Sequence, residues 1–181
     1  MSATKSICVF CGSRHGRSPA YAQAAQDLGT AIAANNWRLV YGAGDVGLMG
    51  DVANATQAAG GSTFGVIPQH LLDWEVGKRD LDQFIITDDM HSRKKLMFIN
   101  SDAVVLLPGG AGSLDEFFEI LTWAQLNLHE KPIIVANIEG YWDPLIALVE
   151  HTVNSGFADA SLLKLFQVAP DIEATIKALQ G

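Results

Sequence analysis

Two short stretches carry side chains that could do chemistry. In Pro108-Gly109-Gly110-Ala111-Gly112-Ser113-Leu114-Asp115-Glu116, an apolar run passes through three glycines, and a helix is expected from Ser113 with Glu116 in its first turn. In Met90-His91-Ser92-Arg93-Lys94-Lys95, three cations stand together in a chain of formal charge −8. Glu116 has two readings. Ser-x-x-Glu is a capping box, in which Ser113 bonds forward to the helix backbone and Glu116 reaches back to the Ser113 N–H. The glycines exceed what a cap needs. Lacking Cβ atoms, they let a ligand approach the backbone, and the open N–H groups of a helix N-terminus suit a monophosphate. The two readings are compatible, and the spacing leaves both open. Among the cations, a guanidinium makes bidentate contact with phosphate or carboxylate where an ammonium cannot. Arg93 is therefore the functional candidate, and Lys95 reads as a solvated surface residue.

A second glycine turn, Tyr41-Gly42-Ala43-Gly44-Asp45-Val46-Gly47, matches G-x-G-x-x-G between a strand and a helix. Dinucleotide binding also requires an acidic residue at the end of the next strand to hold a ribose diol. That strand ends Gly65-Val66-Ile67-Pro68-Gln69-His70, without a carboxylate. Gly42 and Gly44 are thus expected to pack a tight turn near part of a nucleotide, and NAD or FAD is disfavoured. No P-loop and no G-x-S-x-G elbow occurs. The five histidines are scattered, so neither a metal site nor a cofactor is expected. Cys8 and Cys11 lie three apart on a strand, facing opposite sides, and read as packing residues.

The elements that must position these groups alternate along the whole chain. Near-continuous apolar runs (6–12, 37–42, 62–68, 84–87, 103–108, 131–137, 164–169) are separated by helical stretches, one opening at Ser18-Pro19 with Ala20, Ala24, Leu28 and Ile32 on a stripe. Such a pattern indicates an α/β fold: a doubly wound, Rossmann-like parallel sheet with helices on both faces, built as one domain over 1–181. Ligands then bind at the carboxyl ends of the strands, where strand order reverses. The longest irregular connection, 69–83, is a candidate active-site loop. Phe117, Phe118 and Trp123 belong to a core or a subunit interface.

Hydrophobic residues make up 49% and charged residues 18% of the 181, the balance of a packed enzyme. A charge of −8 argues against general nucleic-acid binding and requires an anionic substrate to meet local cations. No apolar run reaches the ~20 residues of a membrane span, and the N-terminal segment reads as a first strand and not a signal peptide. No membrane partner is expected, and the cytoplasm is the expected compartment.

Pro108–Glu116, Met90–Lys94 and the 41–50 turn together resemble the cytokinin riboside 5′-monophosphate phosphoribohydrolases, the "lonely guy" family, whose relatives have often carried the label lysine decarboxylase. The likeness runs from Cys8 through the 121–145 stretch. It implies hydrolysis of the N-glycosidic bond of a nucleoside 5′-monophosphate, without cofactor, by a homodimer with the helix around Trp123 near its interface. By likeness, Arg93 and Glu116 are the catalytic pair. Lys94, Gly110, Ala111, Gly112, Ser113, Leu114, Asp115, Glu75 and Thr122 bind substrate, with Gly109, Gly42 and Gly44 in the adjoining turns. Two departures stand out: Ser113 replaces the usual threonine but keeps the hydroxyl, and Ala43 replaces a glycine, which is expected to narrow the first turn.

The chemistry is physically coherent. Glycosidic cleavage passes through an oxocarbenium-like state, which a carboxylate beside the anomeric carbon stabilises, or for which it activates water. Arg93 would hold the phosphate or orient Glu116, and with the helix N-terminus would keep that carboxylate ionised. A non-catalytic carrier of a phosphorylated ligand, such as the molybdenum-cofactor carriers, has no use for the Arg93–Glu116 pairing. A nicotinamide-dependent oxidoreductase is tested directly: titration with NAD(H) is expected to show no saturable binding.

Overall fold

The computed structural model describes residues 3–72 and 77–181. Its strands are β1 (Ser6–Phe10), β2 (Arg38–Tyr41), β3 (Ser62–Pro68), β4 (Gln83–Thr87), β5 (Ala103–Leu106), β6 (Ile133–Ala136) and β7 (Gln167–Ala169). The helices are α1 (Pro19–Ala34), α2 (Gly47–Ala58), α3 (Gln69–Leu72), α4 (Met90–Ile99), α5 (Ala111–Gln125), α6 (Asp143–Asn154) and α7 (Ile172–Gln180). Helix starts follow local chemistry. Ser18 Oγ accepts the Ala20 N–H ahead of α1, Asp89 caps α4 and Asp171 caps α7.

All strand pairs are parallel, in the order β4-β3-β2-β1-β5-β6-β7. The chain builds outward from β1 to β4, then returns to place β5 beside β1, in register from Ile7–Ala103 to Phe10–Leu106. The reversal point therefore lies between β1 and β5, and a crevice opens beyond their carboxyl ends. Period-2 alternation splits the central strands between two cores. Ile7, Val9 and Cys11 pack under α1, α2 and α7, whereas Cys8 and Phe10 pack under the α4–α5–α6 layer. The two cysteines do face opposite sides, both buried. Phe117 is fully buried, while Phe118 is exposed.

Two expectations need correction. The helix placed at Ser113 begins two residues earlier, at Ala111, with Gly110 as N-cap and no side-chain cap. The capping box is therefore absent: Ser113 sits inside the first turn and Glu116 lies one turn further on. The connection from Gln69 is also less irregular than expected. It starts as the short α3, and Gly77 bridges back to Gly44 in antiparallel sense.

Layer α1–α2 packs unusually close. A Cβ on Gly29, inside α1, would lie 2.4 Å from the Val52 carbonyl oxygen and 2.9 Å from Ala55 Cβ. Thr56 Oγ1, fully buried, shares its one proton between Val52 O of its own helix at 2.8 Å and Gly29 O across this contact at 3.2 Å. Gly29→Ala should raise helix propensity by ~1 kcal/mol, yet overpacking costs about 1–3 kcal/mol. Net destabilisation is expected, read as a lower denaturant midpoint at unchanged slope.

Candidate functional site

A cleft of about 500 Å³ opens at the reversal point. Its floor is Val9 and Cys11 from β1 and the residue after it. One wall is the β1–α1 loop, Gly12 to Gly16, and another is Pro108 to Ser113 at the start of α5. Met90, Arg93 and Met97 enter from α4, Gly42 from the end of β2, Glu116 from α5, and Tyr21 and Tyr141 from the rim.

The α5 wall is built to leave donors open. Gly110 is extended (φ −106°, ψ −154°) and turns the chain into the helix, and Leu114 N–H is the first to reach back, to Gly110 O at 3.1 Å. The N–H groups before it have no side-chain cap. Added Cβ atoms on Gly110 or Gly112 would meet nothing within 4 Å, so the space in front of this turn is clear. Gly109 differs: a Cβ there would be 2.1 Å from Ser113 Oγ. Its carbonyl accepts a 2.5 Å hydrogen bond from Tyr141 Oη, whose ring packs edge-on against Tyr21 and Trp142.

Arg93 is 5% exposed. Burying a cation is costly unless its donors are used. Nε donates to Val66 O at 3.1 Å and Nη2 to Gly42 O at 2.7 Å, both at the C-terminal ends of neighbouring strands, while Nη1 lies 3.8 Å from Met90 Sδ. Glycine at 42 is required for this approach, because a Cβ would come within 2.1 Å of Nη2. The guanidinium is thus held from behind while lining the same cleft as Glu116. Glu116 makes its charge felt at the floor. Burial holds the Cys8 and Cys11 thiols well above the usual range, and the Glu116 carboxylate pushes both further up. Cys11 therefore stays a thiol and is no nucleophile.

Of the residues expected at the site, Arg93, Glu116, Gly42, Gly109, Gly110, Ala111, Gly112 and Ser113 line one cleft. Lys94, Leu114, Asp115, Thr122 and Gly44 do not. Lys94 Nζ lies 2.9 Å from Asp115 Oδ2 and 3.2 Å from Glu119 Oε2. Desolvation pulls its pKa down, but the two carboxylates outweigh this and the net shift is upward. The pair clasps α4 to α5. Arg93 precedes Lys94 and Glu116 follows Asp115, so one helix step turns Arg93 and Glu116 to the cleft and leaves the clasp behind them. Leu114 packs into the α4–α5–α6 core, and Thr122 is exposed, its Oγ1 donating to Phe118 O. Gly44 is spent on the bridge to Gly77. Glu75 lies outside the described residues. Ala43 adopts φ +58°, and its methyl is buried against Ile67 and Leu72 and does not line the cleft. Among the described residues, no group of three or more His, Cys, Asp or Glu could hold a metal ion.

The loop Gly12-Ser13-Arg14-His15-Gly16 and the two tyrosines were not expected at the site. A glycine pair directly after the first strand was the available signal, but its weight depends on strand order, which no local pattern reports.

Residues 49–179 match the family model described as "Possible lysine decarboxylase". The cytokinin riboside 5′-monophosphate phosphoribohydrolase of Rhodococcoides fascians is 43% identical over 178 residues, 98% of this chain and 90% of that protein. This chain belongs to the cytokinin riboside 5′-monophosphate phosphoribohydrolase family. An Arabidopsis thaliana member of the family, LOG5, is 39% identical over 99% of this chain and 79% of its own length. Among solved structures, the molybdenum cofactor carrier protein of Chlamydomonas reinhardtii superposes with a TM-score of 0.75 at 22% identity, covering 97% of this chain and 96% of that one. The molybdenum cofactor binding protein of Rippkaea orientalis gives 0.74 at 24%, covering 99% and 98%. At those identities, the likeness is one of fold alone.

Tyr141→Phe removes the hydrogen bond that fixes the Gly109 carbonyl and keeps the ring contacts. Stability should fall by about 1 kcal/mol. If the family's glycine loop positions substrate, KM should rise several-fold with kcat little changed, as measured by steady-state kinetics on a nucleoside monophosphate.

Proposed function

We propose that this protein hydrolyses the N-glycosidic bond of adenosine 5′-monophosphate or its N6-modified forms. Water adds to the anomeric carbon as the C1′–N9 bond breaks, giving free base and ribose 5-phosphate. The observation that carries the reading is the convergence of Arg93 and Glu116 on one cleft beside the uncapped start of α5.

Each part then has a role. The phosphate sits at the open N–H groups of Gly110 to Ser113, where the helix dipole favours an anion. Glu116, one helical turn further in, faces the ribose; its carboxylate stabilises positive charge developing on the sugar or takes a proton from the attacking water. Arg93 is immobilised by the Val66 and Gly42 carbonyls, so it orients Glu116 and substrate without reorganising during the reaction. Leu71, Met49 and Met90 offer apolar surface for a purine. Lys94 acts through the Asp115–Glu119 clasp as a positioning residue.

No lysine lines the described cleft, which gives the lysine decarboxylase description no amine to work with. The carrier reading draws support from fold likeness alone. The finer parts of the proposal are a homodimer and a cytoplasmic enzyme. Phe118 (36% exposed) and Leu126 (61%) flank Thr122 at four-residue spacing, an outward apolar stripe suited to a second copy. No helix among the described residues is long and apolar enough to cross a membrane.

Purified protein offered AMP and isopentenyl-AMP in parallel should release free base from at least one, detected chromatographically. Glu116→Gln should lower turnover at least ~10²-fold while the protein stays folded, as checked by circular dichroism alongside the assay. Full turnover in that variant would remove Glu116 from the chemistry.

A further inference from the structure

The cleft has a charge deficit. A 5′-phosphate carries up to two negative charges into a protein of net charge −8, and a helix N-terminus supplies only about half a positive charge. The obvious cations are already committed. Lys94 is neutralised by Asp115 and Glu119, and the Nε and Nη2 donors of Arg93 are bonded to strand carbonyls.

One cation remains on the cleft wall. Arg14 lines it, is exposed, and has no carboxylate within ion-pair distance among the described residues. Its neighbour explains part of this. His15 Nε2 lies 3.1 Å from Asp51 Oδ2, so the acidic residue that α2 presents to this loop is taken by the histidine. That oxygen is otherwise buried without a hydrogen bond, so the carboxylate has reason to keep the imidazole where it is.

The backbone beneath Arg14 is fixed while its side chain is not. Gly12 N–H donates to Pro108 O at 3.0 Å and Met49 N–H to Gly12 O at 3.3 Å, tying the loop to both neighbouring elements. Gly47, with φ +60°, passes so close beneath that a Cβ there would lie 2.3 Å from Arg14 N. A Cβ on Gly12 would be 3.3 Å from Gly109 Cα, so the Arg14 loop lies flush against the glycine loop that opens α5.

We propose that Arg14 is the phosphate-recognition residue of this cleft. Its guanidinium closes on the 5′-phosphate seated at the start of α5 and sets the preference for a nucleoside monophosphate over the free nucleoside. The inference rests on the nucleotide-cleavage reading above. Bidentate geometry matters here, since two parallel N–H donors on two phosphate oxygens fix the sugar's distance from Glu116 as well as neutralising charge.

The experiment measures kcat/KM on AMP and on adenosine for the wild type, Arg14→Gln and Arg14→Lys, with ribose 5-phosphate binding by calorimetry in parallel. Arg14→Gln should lower kcat/KM for AMP roughly 10- to 100-fold, chiefly through KM, and leave the adenosine rate unchanged. Ribose 5-phosphate binding should weaken by a similar factor, and Arg14→Lys should fall between the two. Equal losses on AMP and adenosine, or ribose 5-phosphate binding that is absent in the wild type or unaltered in Arg14→Gln, would overturn the proposal. If the wild type releases no base from any nucleotide, the cleavage reading fails, and the ribose 5-phosphate titration still decides Arg14 by itself.

Discussion

The site depends on keeping a guanidinium buried and charged at the strand ends. Arg93 is nearly inaccessible, and a cation so placed is tolerable only where oxygen acceptors converge on it. Two carbonyls at the ends of adjacent parallel strands provide them, because such ends project acceptors that the sheet itself leaves unused. The bare Cα of Gly42 is part of the same solution. A side chain at 42 would expel the guanidinium, and the cleft would lose a group whose position is set from three elements at once.

Around that cation, two devices divide the work. The Lys94–Asp115–Glu119 clasp holds α4 and α5 in register, so that residues one step along each helix meet over the sheet. The start of α5 does the opposite and withholds interactions. Where Ser18, Asp89 and Asp171 satisfy the first turns of their helices, Gly110 contributes no side chain and the donors stay available. A capped α5 would be a more stable helix with fewer open donors facing the cleft.

Much of this was legible in residue order. The apolar runs located every strand within a few residues, and Ser18-Pro19 marked the start of α1 because its cap is local chemistry. Ser113 misled for an instructive reason. Ser-x-x-Glu meets the spacing rule of a capping box, but whether a serine caps or continues a helix depends on the backbone two residues earlier, where glycine allowed an earlier turn. Lys94 and Arg93 are adjacent and chemically similar, yet one faces a carboxylate pair and the other the cleft, a difference set by helix phase against a neighbour 21 residues away. The Arg14 loop becomes a cleft wall because β5 returns beside β1, a long-range fact without a local signature.

Ala43 carries one more consequence. It holds a left-handed backbone conformation that costs a non-glycine residue roughly 1–2 kcal/mol, and a Cβ placed on Gly65 of β3 would stand 2.7 Å from its methyl. The same Cβ would lie 2.3 Å from Leu81 Cδ1, so position 65 is closed from two sides. Bulk at this contact comes from the turn and from Leu81, while β3 offers bare backbone, and the left-handed strain at Ala43 is borne where the strand has no room to take the methyl instead.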